Sequence, residues 1–172
     1  MAIDAAKLAI VHYPAAVLRE RAADVPAVDD GVRAVAERML ELMHAAPGVG
    51  LAAPQVGLPW RLFVANPTGE AGDDRVYINP ELVDASREAE SQEEGCLSLP
   101  EVRAQVARPR GITIKALGMD GEPFTETDDG LLARIWQHET DHLDGVLILD
   151  RMTRIEKIAN RRAVKALEAA GA

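Results

Sequence analysis

The chain has 172 residues, 48% of them hydrophobic and 27% charged, which suits one soluble globular domain spanning 1–172. A formal net charge of −9 argues against nucleic acid, DNA included, as the main ligand, and no apolar run approaches the roughly 20 residues of a membrane span. Cys96 is the only cysteine, so no internal disulfide is available, and the opening MAIDAAKLAIVHYP does not read as a signal peptide; we expect a reducing, cytoplasmic home and a monomer.

Residues 30–46, DGVRAVAERMLELMHAA, carry Val32, Val35, Ala36, Met39, Leu40 and Met43 at the spacing of one helical face. Asp29 or Asp30 is placed to cap the start, and Pro47 and Gly48 to end it. β-rich stretches follow at 61–66 (RLFVAN), 75–80 (RVYINP) and 112–127 (ITIKALGMDGEPFTET), the last reading as a hairpin that turns at Met119-Asp120-Gly121. EEGCLSLP (93–100) reads as a defined turn rather than the middle of a strand: Gly95 allows close backbone approach, and Ser98 and Pro100 favour turning. A second helix is expected from Asp128 or Asp129 to about Leu143. Leu131, Ile135, His138 and His142 share one face of it, with Leu132, Trp136, Glu139 and Leu143 on the adjacent one. So wide an apolar surround predicts a helix buried in the middle of the domain. A third helix follows Thr153, where Thr153-Arg154-Ile155-Glu156 fits a capping box, and Ile155, Ile158, Ala159 and Leu167 are expected to face inward. Strands and helices without regular βαβ alternation indicate an α+β fold, with short antiparallel sheets packed around the central helix and a C-terminal helix.

The central helix contains His138-Glu139-Thr140-Asp141-His142. Two histidines four apart project from one face, since four residues make just over one turn. The glutamate lies about 100° round from the first histidine, within reach of a water on an ion held by both. The alternative is a helix carrying these residues by chance. The whole chain has only four histidines, and unpaired imidazoles on a mostly apolar helix would be costly, so metal binding is the better reading. A catalytic site needs a third protein ligand and an open position. The metzincin pattern HExxHxxGxxH has its glycine at Gly145 but Ile148 where the third histidine belongs. A thermolysin-like acidic ligand would have to be Glu156 or Glu168, both in the short terminal helix. Cys96 remains the strong candidate, against the bland reading of a lone cysteine as a small buried hydrophobe.

Three segments, GVGLAAPQVG (48–57), EGCLS (94–98) and HETDHLDG (138–145), resemble in order and rough spacing the signature motifs of the peptide deformylases, and the similarity extends over nearly the whole chain. The resemblance implies an enzyme that removes the N-formyl group from the N-formylmethionine of newly synthesised polypeptides. It implies Cys96, His138 and His142 as ligands of one divalent ion, with water in the fourth position. The native ion would be Fe²⁺, with Zn²⁺, Ni²⁺ or Co²⁺ as alternative occupants of a preparation; the ligand set by itself also suits zinc. Glu139 is implied as the group that takes the water's proton and passes it to the departing amine. The side-chain amide of Gln55 and the backbone N–H of Leu97 are implied to bind the oxyanion; without the motif, Gln55 reads as a solvated loop glutamine. Backbone at Val49, Gly50 and Gly95 would pair with an extended peptide. Val49 and Leu131 would line part of an apolar pocket for the methionine side chain, with core packing as their ordinary alternative. A formyl carbon bears only hydrogen, so a tight site admits it and excludes bulkier acyl groups.

His12 and His44 read as surface or structural. Residues 151–172 hold six basic side chains against two acidic ones within an acidic chain. The bland reading is a solvated helix; the functional one is a weak contact with ribosomal RNA or protein, where nascent chains emerge. Two rivals to the deformylase reading stay open. One is a metallopeptidase cutting internal bonds, against which the missing third histidine and EGCLS speak. The other is a noncatalytic metal-stabilised binding domain, whose four-ligand site would not need Glu139 or Gln55.

Overall fold

Residues 3–171 are described by a computed structural model. Met1, Ala2 and Ala172, which belong to the expected 1–172 domain and in part to the opening stretch judged for a targeting signal, lie outside the described residues. In chain order the main elements are α1 (Asp30–Ala45), β1 (Gly50–Ala52), β2 (Leu62–Ala65), β3 (Arg75–Val83), β4 (Ala89–Cys96), β5 (Leu99–Pro109), β6 (Ile112–Leu117), β7 (Pro123–Asp128), α2 (Leu131–Leu143), α3 (Ile148–Arg151), α4 (Arg154–Ala159) and α5 (Arg161–Ala170). The strands form an antiparallel five-stranded sheet in the order β1-β2-β3-β6-β7 and a separate antiparallel hairpin, β4-β5.

The amphipathic stripe expected at 30–46 becomes α1. Val32, Val35, Ala36, Met39 and Met43 are buried, Leu40 is half-buried, and the Asp29 carboxylate accepts from the Val32 N–H at 2.9 Å. Strand β2 shows why the sheet sits at the centre. Successive residues of a strand point to opposite faces, and here both faces are covered. Leu62 and Val64 pack with Val35, Met39 and Met43 of α1, whereas Phe63 and Ala65 pack with Tyr77 and with Ile135 and Trp136 of α2. The hairpin expected at 112–127 is β6-β7, with Gly121 at its turn in a left-handed conformation (φ 84°).

The expected start of the second helix is corrected: α2 begins at Leu131, not at Asp128 or Asp129. The Asp128 carboxylate nevertheless serves its N-terminus, accepting from Gly130 N–H at 2.8 Å and Ala133 N–H at 2.9 Å. The helix is buried in the middle of the fold, as its apolar surround predicts, with Trp136 fully enclosed and edge-on to Tyr77 at 5.9 Å.

The β4-β5 hairpin is not among the expected strands. β4 reads AESQEEGC, a sequence with little β propensity. β5 does carry the signal: Val102, Ala104, Val106 and Arg108 alternate inward. Val102, Ala104 and Val106 join a third cluster with Leu18, Leu147, Ile148 and Met152.

The terminal helix also differs from expectation. It breaks at Asn160 into α4 and α5. The Thr153–Glu156 capping box forms as read, but Ile155 and Ile158 are 79% and 66% exposed, and Ala159 is exposed too. The Asn160 amide donates to the Arg103 carbonyl at 2.9 Å and pins the junction to the hairpin. The apolar side of α5, with Ala163, Val164 and Leu167, then docks on the third cluster in place of the isoleucines of α4.

Candidate active site

Cys96 is the last residue of β4, where the hairpin register shifts and Cys96 faces Leu99 across a two-residue turn. The sequence expectation of a turn rather than mid-strand at this point is met. α2 lies beneath and presents His138 and His142 one turn apart. The sulfur of Cys96 and one ring nitrogen from each histidine lie within 4.8 Å of one another. Cys96 Sγ and His142 Nε2 are 3.3 Å apart, and the two imidazoles meet edge-on at 5.0 Å.

Glu94 lies two residues before Cys96, so the period of the strand puts both side chains on one face. Its carboxylate is gripped by Arg108 (2.6 and 2.8 Å) and Arg134 (2.7 Å), and its Oε2 also meets His138 Nδ1 at 2.9 Å. Burial would raise the Glu94 carboxyl, but the hydrogen bonds from Arg108 and His138 outweigh it and hold the group well below the usual carboxylate range. An ionised carboxylate can only accept, so Nδ1 of His138 carries the proton and Nε2 is left for the ion. Arg108 continues to Asp141 at 2.9 Å, back on α2, so the hairpin and the helix are tied together around the ligands.

The donor set fits a divalent cation: one thiol and two imidazoles, converging and buried or nearly so. Their electrostatics point the same way. Burial should lower the pKa of His138, yet hydrogen bonds to Cys96 and Glu94 carry it up to about 10. The site thus favours a cation between His138 and the sulfur, and an ion bound there would take the place of the Nε2 proton. His142 is held well below its ordinary value by burial and by the neighbouring His138 charge, and so stays neutral as a ligand must.

Glu139 is 4% exposed, and its Oε2 is buried with no hydrogen-bond partner among the described residues. Burial pushes its carboxyl up to about 7, the range in which a carboxylate serves as a proton acceptor and donor near neutral pH. Gln55 is 1% exposed, which overturns the solvated-loop alternative. It sits on a 3₁₀ turn, Ala53–Val56. Its Oε1 accepts from Ala52 N–H at 2.9 Å, which turns Nε2 toward Ser98 Oγ (3.2 Å) and Cys96 Sγ (3.5 Å).

A cavity of about 500 Å³ opens above these groups, lined by Val49, Gly50, Gln55, Gly95, Cys96, Leu97, Leu131, His138 and Glu139, whereas buried His142 is not part of its lining. Val49 and Leu131 are 46% and 49% exposed, so core packing does not account for them. At Gly95 the close approach comes from the Arg103 guanidinium, not from backbone: a methyl group there would meet Arg103 Nη1 at 2.7 Å. Glu156 and Glu168 are occupied elsewhere, Glu156 in the α4 cap and Glu168 with the Tyr13 hydroxyl. His12 is exposed, and His44, also exposed, pairs with Asp74 at 2.7 Å. The residues missed from sequence are Glu94, Arg108 and Ser98. Glu94 was within reach, as a carboxylate on the strand face of Cys96; Arg108 was not, because its partner is distant in the chain.

The sequence profile of the polypeptide deformylases matches residues 7–158. The chain belongs to the peptide deformylase family. Family members similar to it include a peptide deformylase of Chromohalobacter salexigens, 44% identical over 88% of this chain and 89% of that protein. One from Rhizobium meliloti is 42% identical over 95% of both. Among solved structures, a peptide deformylase from Plasmodium falciparum superposes with a TM-score of 0.91 at 34% identity, covering 94% of this chain and 96% of that one. Another from Legionella pneumophila gives 0.89 at 36% identity, covering 95% and 96%. The α+β architecture is the family's own. No helix of the described residues is long and apolar enough to cross a membrane.

Proposed function

We propose that this enzyme removes the N-formyl group from the N-formylmethionine of newly made polypeptides. The observation that carries the reading is the convergence of Cys96, His138 and His142 beside buried Glu139 and Gln55, at the floor of an open cleft, in a chain of this family. Cys96, His138 and His142 would hold one divalent ion, Fe²⁺ in the native enzyme. When bound, it supplies a Lewis acid and a water of lowered pKa.

The chain's own residues do the rest. An extended formyl-peptide pairs with backbone at Val49, Gly50 and Gly95, and its methionine side chain lies against Val49 and Leu131. The Gln55 amide, oriented by Ala52, and the backbone N–H of Leu97 stabilise the oxyanion that forms on the formyl carbonyl; a donor of this kind is typically worth about 3 kcal/mol. Glu139 accepts the proton of the attacking water and returns it to the departing amine, a double role suited to its raised pKa. Glu94 keeps His138 in the tautomer that offers Nε2.

The test is formate release from a formyl-Met peptide by the purified protein, beside an internally cleavable peptide. Formate without internal cleavage is expected; cleavage of the second peptide alone would favour the metallopeptidase reading, and inertness toward both the binding-domain one. We further propose a monomeric, cytoplasmic enzyme whose α4–α5 segment makes a weak ribosomal contact. Arg154, Lys157, Arg161, Arg162 and Lys165 are all exposed, which supports that contact.

A further inference from the structure

Gly50 begins β1 on the floor of the cleft. A methyl group built on it would fall on Oε1 of Glu139, 2.9 Å from its Cδ and 3.0 Å from Cγ2 of Ile135. The backbone has little room to retreat. Gly50 is paired with Ala65 in the sheet, Asn66 N–H binds the Val49 carbonyl at 2.9 Å, and the neighbouring Leu51 and Ala52 are fully buried. The carboxylate is the party free to move. No hydrogen bond from a described residue holds its buried Oε2, so among the protein groups only packing limits where it points.

We propose that Gly50 is a positioning residue for Glu139: its missing side chain is the slot in which the carboxylate sits. The other glycines of the cleft do not share this arrangement, since Gly48 abuts the Leu97 side chain and Gly95 the Arg103 side chain. The inference rests on the reading of Glu139 as the proton acceptor, and it is distinct from pairing of the peptide with Gly50 backbone. A methyl group at residue 50 leaves that backbone in register and keeps Cys96, His138 and His142 in place. It displaces the one group whose placement within about an ångström governs the rate.

The test is a double-mutant cycle of Gly50→Ala with Glu139→Ala, reading metal content, Tm, KM and kcat on a formyl-Met peptide, with a crystal structure of Gly50→Ala. Gly50→Ala alone should keep its metal, hold KM within about twofold, lower kcat about tenfold or more, and show the carboxylate swung away. In the Glu139→Ala background the same change should alter residual kcat less than about twofold, because residues acting through one group are not additive. Should Gly50→Ala be unstable by itself, Glu139→Ala should recover most of its Tm by removing the closest contacts, those with the carboxylate, while the 3.0 Å approach to Ile135 Cγ2 remains. Equal fold losses in both backgrounds, a rise in KM alone, an unmoved carboxylate, or a Tm still low in the double variant would each overturn the proposal. Wild-type kcat in Glu139→Ala alone would instead sink the assignment of Glu139 as base, while the crystal structure and Tm still judge the slot.

Discussion

Glu94 accepts a hydrogen bond from Nδ1 of His138 at 2.9 Å while both its oxygens are held by Arg108. Groups that orient a metal-binding imidazole typically contribute 10- to 100-fold to metal affinity. Glu94→Ala should therefore weaken metal binding by about that factor although every ligand remains. It should also lower stability by about 3–5 kcal/mol, because Arg108, whose side chain is 3% exposed, loses its main counter-charge. Chelator competition and thermal unfolding measure the two effects. Wild-type affinity in this variant would remove Glu94 from the support of the site.

Ligation and chemistry should separate cleanly. Cys96→Ala is expected to lose most of the metal, by elemental analysis. Glu139→Gln, similar in size but no longer a base, should retain it and lose about 10²-fold or more in kcat. Full metal content in Cys96→Ala would take the cysteine out of the ligand set.

An iron–thiolate site should be sensitive to air, since both partners oxidise. Activity is expected to decay on aerobic handling, to survive anaerobically, and to be protected by exchange to Ni²⁺ or Co²⁺. A protein isolated with zinc that is fully active and stable in air would contradict Fe²⁺ as the native ion.

Tyr77 should make stability fall at alkaline pH. Burial raises its pKa above the ordinary 10.0, and its hydroxyl donates to Glu126 at 3.1 Å. The folded protein keeps this proton while the unfolded chain releases it above pH 10, so the Tyr77 contribution is whole below that point and shrinks as pH rises through it. Tyr77→Phe should be less stable than wild type near neutrality by about 1–3 kcal/mol, with the gap narrowing above about pH 10. Parallel Tm curves for the two proteins would refute this.

The α4–α5 segment offers a last test. Changing Arg154, Lys157, Arg161 and Lys165 to Glu should reduce cosedimentation with ribosomes at low salt, and high salt should do the same to wild type, as phosphate contacts require. Activity on free peptide should be unchanged. If both proteins pellet equally, the segment is a solvated structural element only.

Much of this protein is written locally. His138 and His142 need only a helix to face the same way, and the apolar surround of 131–143 supplies that helix. The stripe of 30–46 and the turn at Met119-Asp120-Gly121 are likewise decided by neighbours a few residues apart. The motif EGCLS marked Cys96 before any contact was known. What the chain could not show by itself depends on residues far apart meeting. Arg108 reaches Glu94 across the hairpin, Asn160 is held by Arg103 and so breaks the terminal helix and leaves Ile155 outside, and Gly50 leaves room for Glu139. Helical periodicity reports that a residue has a face; only the packed fold decides what that face meets, because burial and ion pairing are set by partners that sequence spacing does not encode.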